Sequence, residues 1–206
     1  MKKIFTMVAM AFMAVCVNAQ STDKTWNFSD WEAKDYTENS TKDGLTIYAT
    51  SEKKVVIEKN NKTVNDVEYT KRLKFGGTGS TDSRCVEFEV DGACTIEVVL
   101  TSASTGADRK LNICANEFSK DNPLATLPAS GSGVNLESYK YTGKAGKIVL
   151  GSYNSGVNIY AIYVKYGTTA IESVKAYVDN NGKAYNLGGC VATKGLLIQN
   201  GKKVFK

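Results

Sequence analysis

The stretch "RCVEFEVDGACTIEVVL" at 84–100 constrains this chain more than any other. Val86, Phe88 and Val90 alternate with Cys85, Glu87 and Glu89, which is the period of a strand with one apolar and one polar face. The alternation resumes after Asp91-Gly92-Ala93, so the segment reads as a hairpin. A two-residue turn would set Phe88 opposite Thr95 and mix the faces. A three-residue loop sets Phe88 opposite Ile96 and Val86 opposite Val98, with Glu97 opposite Glu87, and is the expected register. It turns Cys94 toward the core and Cys85 away from it, so those two cannot bridge.

Similar short segments recur along the chain, broken by Gly, Asn, Asp and Ser clusters. Strands are expected near 25–28, 45–49, 54–59, 71–75, 84–90, 94–101, 109–115, 138–142, 146–151 and 157–166, where Val, Ile, Thr and Tyr are enriched. No repeat period is visible, which argues against a parallel β-helix. The expected class is all-β, an antiparallel β-sandwich. One short helix fits "SDWE", where Ser29 and Glu32 have capping-box spacing.

"GSYNSGVNIYAIYVKYG" at 151–167 carries four tyrosines, Tyr153, Tyr160, Tyr163 and Tyr166. Tyr160, Ile162, Val164 and Tyr166 share one parity; Val157, Ile159, Ala161 and Tyr163 share the other. Both faces are apolar, so the strand is expected to be covered on both sides, its tyrosines packed rather than displayed. Tyr153 differs, because its Gly/Ser/Asn-rich turn places it at the surface.

Residues 1–19 read as a signal peptide. Lys2 and Lys3 precede an apolar run from Ile4 to Val17, and Val17-Asn18-Ala19 supplies the cleavage site. The run is shorter than the roughly 20 apolar residues of a membrane span. Export is therefore expected, with a sandwich module over 20–167 and, over 168–206, a short β-hairpin tail whose alternating segments are joined by Asn-Gly turns at 181–182 and 200–201. Removing Lys2 and Lys3 takes the formal charge from +5 to +3, too small and dispersed for a nucleic-acid partner. Cys85, Cys94, Cys114 and Cys190 remain. Their spacings match no disulfide framework. Cys85 and Cys114 share a polar parity, so they pair if their strands are neighbours and stay free, partly covered thiols otherwise.

The chain has no histidine, which excludes Ser-His-Asp and Cys-His catalysis and makes structural zinc improbable. Glu87 and Glu89 share a strand face about 6.5–7 Å apart, a spacing near that of an inverting glycosidase; the alternative is a solvated face with lysine neighbours. Asp30, Glu32, Asp35 and Glu38 in "SDWEAKDYTEN" offer oxygen donors for a structural calcium, without EF-hand spacing. A sugar would be held by an aromatic face ringed by planar hydrogen-bonding groups. Tyr153, with Asn154 beside it, is the candidate face. Of the three arginines, Arg72, Arg84 and Arg109, the guanidinium of Arg109 follows the flexible loop "TSASTGADR"; Arg109 and Arg72 are the candidate partners for an acidic sugar.

The segments "TWNFSDW" at 25–31, "TKRLKFGGTGS" at 70–80, "CVEFEVDGACTIEVVLTSASTGADRKLNI" at 85–113 and "YKYTGKAGKIVLGSYNSGVNIYAIYVKY" at 139–166 resemble a module found beside pectate lyases in gut Bacteroidetes. The resemblance implies a galactose-binding-like jelly roll with a carbohydrate-binding role. The lyase's catalytic β-helix has no counterpart here, so its activity does not carry over. "AYNLGGCVATKGLLIQNGKKVFK" at 184–206 is similar to C-terminal sorting segments of Bacteroidetes secreted proteins, with Cys190 where a polar residue is usual. The expected function is a secreted, non-catalytic module for a pectin-like or other uronate-containing polysaccharide. Its rivals are an adhesion module with a protein partner and a small glycan-active enzyme using the glutamates.

Overall fold

The computed structural model describes residues 21–167, 196–199 and 202–205, which fall in two units divided after Tyr166. The first unit runs β1 (Lys24–Asn27), β2 (Lys34–Tyr36), β3 (Ser40–Lys42), β4 (Leu45–Tyr48), β5 (Val55–Val64), β6 (Val67–Phe75) and β7 (Cys85–Val90). It continues with β8 (Cys94–Ser102), β9 (Arg109–Ala115), β10 (Ala125–Ala129), β11 (Asn135–Tyr141), β12 (Gly146–Ser152) and β13 (Val157–Lys165). The first sheet has the order β11-β8-β13-β6-β5-β2, with β1 added beside β13; the second has the order β10-β9-β12-β7-β4-β3. All pairs are antiparallel. The expected β-sandwich is the observed architecture.

The expected 84–100 hairpin does not form. β7 pairs with β4 and β12 in the second sheet, and β8 pairs with β11 and β13 in the first. Asp91-Gly92-Ala93, with Gly92 at φ +150, crosses from sheet to sheet. Phe88 therefore lies opposite Leu45 and Ile148, not Ile96. Glu97 and Glu87 are on different sheets, which removes the like-charge pair. The reason is physical: two alternating strands can satisfy their apolar faces by packing face to face as well as by pairing edge to edge. The buried face itself is as expected, since Val86, Phe88, Ile96, Val98 and Cys94 all lie in the core between the sheets.

The strand at 157–165 is covered on both sides, as its two apolar parities require. A register shift between Ile159 and Ala161 changes the assignment, however. Val157, Ile159, Ile162 and Val164 face the core, while Tyr160 and Ala161 belong to a second cluster with Tyr69 and Val99. Tyr160 and Ile162 thus occupy opposite faces, because an extra residue in a strand inverts the parity beyond it.

The short helix is a single 3-10 turn at Phe28–Asp30, one residue before the expected "SDWE". Asn27, not Ser29, caps it: its Oδ1 accepts the Ser29 N–H at 3.0 Å. The turn drives Phe28 and Trp31, 5.4 Å apart edge to face, into the core. β2, β3 and β10, which no sequence signal marked, complete the sheet edges.

Cys85, Cys94 and Cys114 are free and buried. Cys85 and Cys114 share a small outer cluster with Phe118 and Val149, but β12 lies between their strands. A disulfide needs Cα atoms within about 7 Å, which two strand spacings of about 4.8 Å exceed. Burial is the first cause that pushes the Cys85 thiol from its ordinary 9.0 up to about 12, with Glu87 and Asp82 adding to it. Peptide-resolved alkylation of the native chain at pH 8 should therefore leave Cys85 unmodified; labelling at the rate of a denatured control would contradict its burial. The raised folded-state value also fixes a sign. Stability from this group is intact below about pH 9 and declines as pH rises toward 12, because only the unfolded thiol then ionises.

The second unit is described at β14 (Leu196–Gln199) and β15 (Lys202–Phe205), an antiparallel pair. The signal peptide at 1–19, Cys190 and the Asn-Gly turns at 181–182 and 200–201 lie outside the described residues. Among those described, no helix is long and apolar enough to cross a membrane.

Candidate functional site

The outer face of the first sheet is not flat, because β5 and β6 run on beyond it. They meet at Asn65-Asp66, with φ of +50° and +62°, the two positive values that a type I′ turn requires. A register shift between Lys59 and Lys62 bends the hairpin. Val64 and Tyr69 from its far half then pack against Val99, Tyr160 and Ala161. The Tyr69 and Tyr160 rings meet edge to face at 6.0 Å, and the Tyr69 and Tyr163 hydroxyls are 3.0 Å apart.

Between this hairpin and the loops at 103–105 and 131–134 lies a groove of about 240 Å³. Tyr160 and Asn158 from β13 line it with Thr101 from β8, Arg72 from β6, and Asn60 and Lys62 from β5. Arg72, Thr101, Asn158 and Tyr160 reach the groove because each sits beside a core residue in its strand, whereas Asn60 and Lys62 come from the exposed part of β5 where its register shifts. The loop wall is fixed by backbone bonds: Ser102 N–H donates to Ser130 O at 2.9 Å, and Gly106 N–H donates to Gly131 O at 3.2 Å. Gly131 N–H also donates to Asp108 Oδ1 at 2.9 Å. A Cβ at Gly131 would sit 2.5 Å from the Ala107 nitrogen, so glycine is required there.

The groove's polar groups are oriented. Tyr160 is fully buried, and its hydroxyl donates to Asn60 Oδ1 at 2.6 Å. Burial raises its pKa above the ordinary value, so the hydroxyl stays protonated and remains a donor. Asn158 is 1% exposed. Its Nδ2 donates to Ser102 O at 3.2 Å; a carbonyl can only accept, so this fixes the amide orientation. Asn158 Oδ1 is left without a protein partner. Arg72 donates through Nε at 3.1 Å and Nη2 at 2.6 Å to Glu58 Oε1, which Lys74 also reaches at 3.2 Å. Burial pushes the Glu58 carboxyl upward, but the bonds from Arg72 and Lys74 outweigh it and hold the group below its ordinary value.

Of the four sequence-chosen ligand residues, only Arg72 lines this groove. Tyr153, Asn154 and Arg109 come together elsewhere, where the β12–β13 loop meets the start of β9. Tyr153 N–H donates to Lys110 O at 2.9 Å, and Asn154 Oδ1 accepts the Lys110 N–H at 3.2 Å. Tyr153 is half-buried, with the Lys110 and Lys120 ammonium groups each 5.8 Å from its ring centroid. Arg109 shares its parity with Leu111 and Ile113, which are core residues, and its Nε is buried without a partner. Asn60, Lys62, Thr101 and Asn158 carry no local sequence signal for a site, and Tyr160 reads from the sequence as packed rather than as part of one. The Asn65-Asp66 turn was the available signal for the hairpin that gathers them.

The paired glutamates Glu87 and Glu89 both line one pocket of about 410 Å³ with Lys24, Trp26, Asp43 and Lys147, but Glu87 is not a free carboxylate. Glu87 accepts the Tyr48 hydroxyl at 3.2 Å and Lys147 Nζ at 2.9 Å, and Glu97, on the other sheet, accepts Lys165 Nζ at 2.7 Å. Among the described residues no three His, Cys, Asp or Glu side chains are grouped to hold a metal. Of the calcium candidates, Asp35 is bound to Lys54 Nζ at 2.6 Å, and Asp30 ends the 3-10 turn.

No family model matches the chain, and no curated protein matches it. Among solved structures it is similar to the CBM36-1 domain of a multidomain xylanase from the hindgut metagenome of Trinervitermes trinervoides, at 9% identity over 70% of this chain and 98% of that one, with a TM-score of 0.39. It is similar to a family 35 carbohydrate binding module from Clostridium thermocellum, at 13% identity over 70% and 98%, with a TM-score of 0.38. A third is the CBM22-1 xylan-binding domain of Paenibacillus barcinonensis Xyn10C, at 11% identity over 69% and 92%, with a TM-score of 0.42.

Proposed function

We propose that this protein is an exported, non-catalytic module that binds a polysaccharide in the groove over Tyr160 and Asn158. One observation carries the reading: the groove's walls present amide, hydroxyl and cationic groups from Asn60, Lys62, Arg72, Thr105 and Ser132, over a floor closed by the buried Tyr160 and Asn158. Carbohydrate hydroxyls donate and accept, so they complement such a lining. A uronate-containing glycan of the pectin kind is the class proposed, since Lys62 and Arg72 give the groove a cationic side.

The module acts by binding alone. The groove holds no carboxylate pair and no nucleophile–base pair, the arrangements that glycoside and acyl chemistry require. A glycan array probed with the purified full chain should return plant or host polysaccharides sharing one backbone. The same preparation should release no unsaturated products from polygalacturonate, with or without calcium. An array without hits would overturn the binding reading, and product above a heat-killed control would overturn the non-catalytic one.

A further inference from the structure

The structure assigns Arg84 as an anion-binding residue: with Lys74 it forms a subsite for an acidic substituent, a carboxylate or a sulfate ester, on the glycan held in the neighbouring groove. The inference rests on the groove reading above. The subsite is a separate depression of about 360 Å³ on the same sheet face, lined by Asp35, Lys54, Glu58, Lys74, Gly76 and Arg84. It adjoins the groove through one ion cluster, because Glu58 in its lining binds Arg72 of the groove at 2.6 Å.

Among the described residues, pairing within this lining leaves Arg84 and Glu52 each without a partner. Asp35 takes Lys54, and Glu58 takes Lys74 and Arg72. Glu52 also lines the depression, yet among the described residues neither it nor any other carboxylate comes within 4 Å of the Arg84 guanidinium. Arg84 Nε is buried and has no hydrogen-bond partner. Arg84 as a whole is only half-buried, and its guanidinium, a charged donor without a protein acceptor among the described residues, suits an anionic one.

The loop at 76–84 is built to hold that guanidinium in place. Arg84 has a φ of +54°, a conformation that a non-glycine residue keeps only where its surroundings enforce it. Here Arg84 N–H donates to Tyr48 O at 2.8 Å, Gly79 N–H donates to Ser152 O at 2.8 Å, and Ser80 pairs with Ser83. The guanidinium lies over Gly77, where any side chain would collide with Nη1. A rigid planar fork matches the two oxygens of a carboxylate or sulfate, and Lys74 adds a second positive charge.

Titration calorimetry on the full chain, with wild type, Arg84→Gln, Arg84→Lys and the exposed control Lys140→Gln, tests this. The probes are a neutral xylan oligosaccharide, oligogalacturonate and a carrageenan oligosaccharide, at low and high salt. At least one acidic probe should bind wild type about tenfold or more tightly than the neutral one. Arg84→Gln should erase that preference and its salt dependence while leaving the neutral affinity unchanged. Arg84→Lys should restore it only in part, and Lys140→Gln should not alter it. Dependence on Arg84 for oligogalacturonate identifies a carboxylate, and for carrageenan a sulfate ester. Neutral binding with no acidic preference, or a preference that survives Arg84→Gln in a variant with wild-type melting, would overturn the subsite and leave the groove standing. Binding of none of the three probes by wild type would overturn both.

Discussion

Ile162→Ala should lower the stability of this protein by about 2–5 kcal/mol, the range for truncating a buried branched side chain and leaving a cavity. Ile162 is fully buried in the main core. It lies on β13, which bonds β8 on one side and β6 and β1 on the other, so neighbouring strands cannot close the space without breaking ladder bonds. Tyr153→Ala, a few residues upstream, should cost less, about 1–2 kcal/mol. That ring is half-buried and its chief interactions are with two solvated lysines, worth about 0.5–1 kcal/mol each at such sites. Urea unfolding of both variants checks the contrast. Equal losses would mean that β13 does not sit at the centre of the first sheet as described.

The floor of the groove gives the second large effect. Tyr160→Ala removes a fully buried ring from the cluster with Tyr69, Val99 and Ala161, and should cost about 3–5 kcal/mol, as for other buried aromatic truncations. Tyr160→Phe keeps the ring and loses only the bond to Asn60, so it should cost about 1 kcal/mol. The hairpin formed by β5 and β6 rests on that ring, and Tyr160→Ala should also raise backbone amide exchange at 60–69. If Tyr160→Ala were as mild as Tyr160→Phe, the outer face would not be held by this cluster, and the groove would lose its wall.

These two residues show what the sequence could and could not disclose. Alternation identified which side of each strand is buried, so the core residues Val86, Phe88, Cys94 and Ile162 were legible, as was the surface setting of Tyr153. Alternation does not say which strand lies alongside. That is why 84–100 read as a hairpin, when its halves belong to opposing sheets. Nor does it register a bulge: the extra residue at Tyr160 sends Ile162 and Tyr160 to different faces, though their spacing puts them on one. The edge strands β2 and β3 are three residues each, too short for a periodic signal, and β10 contains Pro128, which reads as a break. The groove was least legible of all. Its lining comes from β5, β6, β8, β13 and two loops, and only the curl of one hairpin brings them together. Tyrosine near a glycine-rich turn is a local signal, and it drew the candidate site to Tyr153 and Arg109 instead.

The most direct test of the central claim is amide chemical-shift mapping of isotope-labelled protein during titration with an oligosaccharide that binds it. Binding in the groove predicts saturable shifts at Asn60, Lys62, Thr101, Asn158 and Tyr160 and in the loop at 131–134, with Tyr153, Asn154 and Lys110 unmoved. Shifts confined to Tyr153, Asn154, Arg109 and Lys110, with the groove residues silent, would contradict it and place the ligand on the far side of the β12–β13 loop.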